Sequence, residues 1–103
     1  MKRKITKETY GEWAVVTGAS SGVGREMALE IASKGLSVVL VARREELLDK
    51  LASEIKEKFE VETKIIVVDF SQKGANKKVM DETKGLEVGL LVNSAGYALT
   101  GEL

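Results

Sequence analysis

The sequence predicts an α/β fold: a doubly wound parallel sheet of about four strands in the order 3-2-1-4, between helices on both faces in three α/β/α layers. Three observations carry this. Short β-branched apolar runs alternate along the chain with amphipathic stretches of helical period. The later runs are almost continuous Val, Ile and Leu, as expected of parallel strands covered on both sides. Glycines fall where a strand must turn into a helix and where helices must stop. Right-handed crossovers then wind the chain outward in both directions from its first strand.

The elements follow in order. Trp13–Thr17 is the first strand. Val23, Met27, Ala28 and Ile31 recur at helical spacing behind it, and Gly35 supplies a stop. Ser37–Val41 is the second strand. The second helix has the clearest stripe, Leu47, Leu48, Leu51, Ile55 and Phe59, with Glu46–Lys50 and Glu54–Lys58 as i,i+4 pairs on its wet side. Lys64–Val68 is the third strand. A third helix is expected over Gln72–Lys84, capped by Ser71 and ended by Gly85, with Val79 as its main apolar residue; Gly74 and Asn76 weaken its start. Val88–Val92 is the fourth strand, and on this order it lies at the sheet edge. A long apolar edge invites mispairing unless something covers it, so residues 1–103 read as an unfinished domain.

Composition removes several function classes. Hydrophobic residues at 44% and charged residues at 31% are ordinary for a soluble globular domain, not for a disordered or fibrous chain. Lys+Arg and Asp+Glu are 16 each, so no net field draws the chain to nucleic acid or to an anionic membrane. The basic start, Lys2, Arg3, Lys4 and Lys7, is offset by Glu8 and Glu12 and reads as a solvated tail. With neither Cys nor His, these residues cannot build a disulfide, a thiolate nucleophile, a soft-metal site or a Ser-His-Asp triad. Glu45, Glu46 and Asp49 open the second helix, where carboxylates suit the helix dipole, so no metal site is expected. Apolar runs such as Val38–Ala42 fall far short of the ~20 residues of a membrane-crossing helix. No apolar stretch of secretory-signal type follows the basic start, and the expected location is cytoplasmic.

The most informative segment is Thr17-Gly18-Ala19-Ser20-Ser21-Gly22-Val23-Gly24, between the first strand and the first helix. Glycines there permit a sharp turn and let a pyrophosphate approach the backbone. The free N–H groups and dipole of the helix N-terminus favour that anion, and Ser20 and Ser21 add hydroxyl donors. The spacing is neither GxGxxG nor a Walker loop, since Arg25 follows Gly24 and no Lys stands where a Walker loop needs one. Glycines alone equally serve a purely structural turn. The strand before, the helix after and the next strand near Val38 favour a nucleotide site.

The end of the second strand distinguishes nucleotides. An acidic residue there would accept hydrogen bonds from the ribose 2′-OH of NAD, whereas Arg accommodates the 2′-phosphate of NADP. This chain reads Val41-Ala42-Arg43-Arg44, so NADP(H) is expected over NAD(H). For Arg44 an ordinary surface role beside Glu45 and Glu46 explains the residue equally well.

Together, Thr17–Gly24 (TGASSGVG), Asp69 after the third strand and Asn93-Ser94-Ala95-Gly96 after the fourth resemble the short-chain dehydrogenases/reductases, a Rossmann-type family. The resemblance runs from about Tyr10 onward. Tyr10–Gly18, Glu54–Phe59 and Val67–Phe70 are similar to the branch of 3-ketoacyl-CoA reductases and 17β-hydroxysteroid dehydrogenases. The resemblance implies that Gly18, Ser20, Ser21, Gly22, Val23 and Gly24 line the pyrophosphate and nearby ribose. It sets Arg43 at the 2′-phosphate and Asp69 and Phe70 beside the adenine, although a capping carboxylate at a strand end also explains Asp69. Asn93 would tie the central strands together, and Ala95 and Gly96 would let the cofactor ribose come close. Ser94 replaces a commoner Asn.

Family chemistry is hydride transfer between the nicotinamide and a carbonyl or alcohol, with a Tyr acid/base, a Lys four residues later and a Ser. A phenol needs that Lys, because its reference pKa of ~10 lies far from working pH. Four residues after Tyr10 stands Ala14, and four after Tyr97 stands Gly101. No catalytic residue is therefore assigned within the 103 residues, and the resemblance implies that 1–103 is an NADP-binding half-domain cut before its catalytic segment. The expected partners are the dinucleotide, a small carbonyl or alcohol substrate for the complete protein, and a second copy or further chain against the open sheet. The alternative is a stand-alone nucleotide-binding module or half-protein without catalysis of its own.

Overall fold

The computed structural model describes residues 13–20 and 22–93, Asn93 for its backbone alone. Four strands, β1 (Trp13–Thr17), β2 (Ser37–Ala42), β3 (Thr63–Val67) and β4 (Val88–Asn93), form one parallel sheet in the order β3-β2-β1-β4. The helices α1 (Gly22–Ser33), α2 (Glu45–Phe59) and α3 (Ala75–Thr83) make the crossovers. This is the doubly wound topology expected of the alternating pattern.

Strand alternation sorts the side chains into two cores. Ala14 and Val16 of β1, with Val38, Leu40 and Ala42 of β2, meet Ala28, Ile31 and Ala32 of α1 and Leu48, Leu51 and Ile55 of α2. On the other face Val15, Val39, Val41, Ile66 and Val68 pack with Ala75, and Val79 joins them from α3. Residues on both faces of β2 are fully buried, which is why this strand reads as an unbroken apolar run. Ile31, Leu36, Leu40, Leu48 and Ile55 are each fully shielded, and burial of such a side chain contributes ~1.5–3 kcal/mol.

The helix ends show how local chemistry sets the boundaries. α1 closes at Gly35, whose φ of 96° is free of Cβ strain and whose N–H donates to Ala32 O at 2.9 Å. α2 carries Glu45 and Glu46 in its first turn and Lys56 and Lys58 in its last, matching the helix dipole. The Glu54–Lys58 pair forms at 3.0 Å, and Arg25 of α1 bonds the other Glu54 oxygen, clasping the two helices. Glu46, in contrast, pairs with Arg44 at 3.8 Å and not with Lys50. An Arg just ahead of the helix reaches this carboxylate from the N-terminal side.

Several further expectations are corrected. α3 begins at Ala75, not Gln72, and Ser71 does not cap it. Gly74 occupies the cap position with φ 86°, and the preceding residues fold into a turn in which Gln72 N–H donates to Asp69 O at 2.9 Å. The Ser71 hydroxyl is used on the Asp69 carboxylate, so the local side-chain bond wins over the helix. Val23 is not part of the apolar stripe of α1, because it lies in the first turn, 70% exposed. β2 runs one residue further than expected, to Ala42, and β3 starts one earlier, at Thr63.

β4 lies at the sheet edge. Its register against β1 shifts between Trp13 and Ala14, where Gly89 is the extra residue opposite. Val88 is 37% exposed and Leu90, Leu91 and Val92 are half-buried. Among the described residues no helix is long and apolar enough to cross a membrane.

Candidate functional site

The strand order places a crevice before any side chain is considered. From β1 the chain passes to β2 through α1 on one face, and β4 is reached from β3 through α3, which packs on the other. The crossovers that flank β1 and β4 thus lie on opposite faces of the sheet, and open α/β sheets take their ligands beyond the carboxyl ends of their strands at such a switch point.

At the mouth of that crevice the β1–α1 turn has the required backbone. Gly18 has φ 67° and Gly22 φ 58°, conformations that side-chain-bearing residues avoid. Ala19 is fully buried and its N–H donates to Val41 O at 3.2 Å, pinning the turn against β2. Thr17, also buried, donates its hydroxyl to Val92 O at 3.4 Å and ties β1 to β4. Ser20 is half-buried, Gly22 and Val23 are exposed, and Gly24 is buried where α1 closes on the sheet. A Cβ built on Gly22 would meet nothing within 4 Å, so the space over this residue is open. No acidic residue occupies the first turn of α1 to compete for its N–H groups or its dipole. This backbone fits a diphosphate.

Arg43 and Arg44 follow β2 directly, and both are exposed. Arg44 is engaged by Glu46, whereas Arg43 has no ion pair or hydrogen bond among the described residues. The parallel register Ala42↔Val67, with Val68 N–H donating to Ala42 O at 3.0 Å, brings Arg43 and Asp69 to the same end of neighbouring strands. Asp69 accepts the Ser71 N–H at 2.9 Å and the Ser71 hydroxyl at 2.7 Å. These two bonds, helped by the Arg43 charge, hold its carboxyl below the usual range. Phe70, next in sequence, is 40% exposed.

Gly18, Ser20, Gly22, Val23, Gly24, Arg43, Asp69 and Phe70 therefore all lie in the loops or helix start that follow the carboxyl ends of β1, β2 and β3. Asn93 ends β4 opposite Thr17 in register. Ser21, Ser94, Ala95 and Gly96 fall outside the described residues. Sequence reasoning missed Ser71 as part of this set, because it was read as a helix cap. The available signal was the Asp-x-Ser spacing, at which an Asp side chain bonds the backbone two residues on.

Comparison with known proteins agrees with this geometry. The family model described as short chain dehydrogenase matches residues 12–103. The human very-long-chain 3-oxoacyl-CoA reductase is 50% identical over 88 residues, 85% of this chain and 28% of that protein. A 7beta-hydroxysteroid dehydrogenase of Collinsella aerofaciens is 48% identical over 85 residues, 82% of this chain and 32% of its own length. The chain thus spans about a third or less of these relatives. Among solved structures, a 7beta-hydroxysteroid dehydrogenase superposes with TM-score 0.81 at 48% identity, covering 82% of this chain and 34% of that one. The L-sorbose reductase of Gluconobacter frateurii, solved with NADPH and L-sorbose, gives 0.78 at 35% identity, covering 87% and 35%. The chain belongs to the short-chain dehydrogenase family of oxidoreductases.

Proposed function

We propose that these residues are the NADP(H)-binding part of a short-chain reductase or dehydrogenase. The observation that carries the reading is the positive-φ turn of Gly18 and Gly22, open over Gly22, on one strand end, together with the Arg43 guanidinium on the next, which has no ion pair or hydrogen bond among the described residues. In this reading Gly18, Ser20, Ser21, Gly22, Val23 and Gly24 hold the diphosphate against the α1 N-terminus. Arg43 meets the 2′-phosphate, which a guanidinium binds through paired charge-assisted hydrogen bonds. Asp69 and Phe70 border the adenine, Asn93 ties the central strands together beside the cofactor, and Ala95 and Gly96 let its ribose come close. The NADPH in the L-sorbose reductase structure and in that of a Sphingobium yanoikuyae short-chain dehydrogenase, 32% identical with TM-score 0.77, supports the choice of cofactor.

When bound, the dinucleotide supplies hydride exchange with a carbonyl or alcohol carbon. The residues at hand bind and orient it. Neither Tyr10 nor Tyr97 has a Lys four residues on, so these 103 residues supply no assigned proton donor and are expected to bind cofactor without turnover. The complete protein would exchange hydride with a 3-oxoacyl or steroid-like carbonyl or alcohol, a reading supported by the names of its relatives. A cytoplasmic location and a further chain segment or second copy against the half-exposed β4 belong to the same reading.

Titration with NADPH and NADH tests it. The chain should bind NADPH more tightly by roughly tenfold or more, the worth of a charge-assisted contact of about 1.5–3 kcal/mol. Arg43→Ala should narrow that gap while leaving NADH affinity near its starting value. Equal affinities for the two dinucleotides, unchanged by the substitution, would contradict the assignment.

A further inference from the structure

The first turn of α1 has few side chains to hold it in place. Gly22 and Gly24 carry none, Val23 is 70% exposed, and the buried side chains of the helix begin only at Ala28. Arg25, half-buried, is the exception: its Nη2 donates to Glu54 Oε1 on α2. Glu54 is in turn steadied on its own helix, where Lys58 Nζ donates to Oε2 at 3.0 Å. That bond, with the charges of Arg25 and Lys58, lowers the Glu54 pKa, so the carboxylate is ionised at neutral pH. α2 starts directly after Arg43 and Arg44, and Arg44 O accepts the Leu47 and Leu48 N–H groups, both at 3.2 Å. The arginine segment therefore moves with α2. The glycine turn is thus bonded to β2 at one end, Ala19 N–H to Val41 O at 3.2 Å, and to α2 at the other through Arg25.

An ion pair between two helices fixes how their ends stand relative to one another. Here the start of α1 carries the diphosphate cradle and the start of α2 follows the guanidinium for the 2′-phosphate. A dinucleotide with a 2′-phosphate must reach both, so its affinity depends on their spacing, whereas one without it uses the cradle alone. Subsites held at the right spacing beforehand spare the ligand the cost of ordering them. We propose that Arg25 is a positioning residue: its ion pair with Glu54 sets the spacing between the α1 cradle and Arg43, and so couples the two anion subsites of one dinucleotide. This rests on the reading of the site as an NADP(H) site. It adds the link between the two subsites, made by residues that touch neither phosphate.

The test is fluorescence titration with NADPH and NADH of the chain, of Arg25→Gln, of Glu54→Gln and of each in an Arg43→Ala background. Either single substitution should cut the preference for NADPH over NADH by about twofold to fivefold, the reach of a half-exposed ion pair, with NADH affinity near its starting value. The two together should cost no more than either alone, because they remove the same interaction. In the Arg43→Ala background neither should change the ratio further, since one of the coupled subsites is gone. Direct attraction of the diphosphate by Arg25 gives a different pattern. Glu54→Gln would then tighten both dinucleotides by freeing the cation, Arg25→Gln would weaken both, and the ratio would stand. A role in folding alone would weaken both together and also leave the ratio standing. An unchanged ratio in Arg25→Gln overturns the proposal; if that variant does not fold, an unchanged ratio in Glu54→Gln does so. A cut in the ratio that persists undiminished in the Arg43→Ala background overturns it as well. Binding of neither dinucleotide by the unsubstituted chain defeats the site reading itself.

Discussion

Gly22 shows how a single backbone angle carries a ligand argument. Its φ of 58° would strain any residue with a Cβ by ~1–2 kcal/mol, yet among the described residues that Cβ would meet nothing within 4 Å beyond its own chain neighbours and helix backbone. Strain and ligand exclusion can therefore be separated. Gly22→Ala should lower the unfolding free energy by only ~1–2 kcal/mol while costing more than tenfold in NADPH affinity, because the methyl group enters the space that the proposed site gives to the diphosphate. Urea unfolding and cofactor titration on one sample check both halves. A variant equally destabilised but binding normally would mean that the open space over Gly22 is not where the anion sits. Arg43 and Arg44 make the same point differently. They are adjacent and alike in sequence, and only the structure shows that Glu46 engages Arg44, whereas Arg43 has no ion pair or hydrogen bond among the described residues.

At the scale of elements, α1 and α2 share the larger core and are clasped outside it by Arg25, Glu54 and Lys58. Hydrogen bonding by Lys58, with the charge of Arg25 and that of Lys58, lowers the Glu54 pKa from its ordinary value. A carboxyl depressed in the fold contributes stability above its unfolded pKa, and that contribution disappears as pH falls through the lower folded value. Stability should therefore decline on acidification below the ordinary glutamate range, and Glu54→Gln should make the decline shallower, as read by urea midpoints across acid pH. An identical acid profile in the variant would show that the clasp contributes nothing in solution. Most elements were legible in the sequence because apolar spacing alone decides them: the Leu48-Leu51-Ile55 stripe and the strand runs needed no tertiary knowledge. The start of α3 was not legible. There, Ser71 had two partners to choose from, a helix N-terminus or Asp69, and composition cannot rank a local side-chain bond against a cap. Val23 fits helical spacing equally well on either side of the first turn, and only packing shows that it faces out.

For the whole molecule, the parallel strand order brings three local turns to one end of the sheet. Because β1 lies between β2 and β4, the glycine turn, Arg43 and Asp69 come to one end of the sheet although they are far apart in the chain. Amide chemical shifts of the ¹⁵N-labelled chain during NADPH titration test this most directly. Gly18, Ala19, Ser20, Gly22 and Val23 should move together with Arg43. With NADH the same set should move except Arg43, whose response depends on the additional phosphate. Shifts confined to α2, α3 or the β4 edge, or an Arg43 response equal for both dinucleotides, would contradict it.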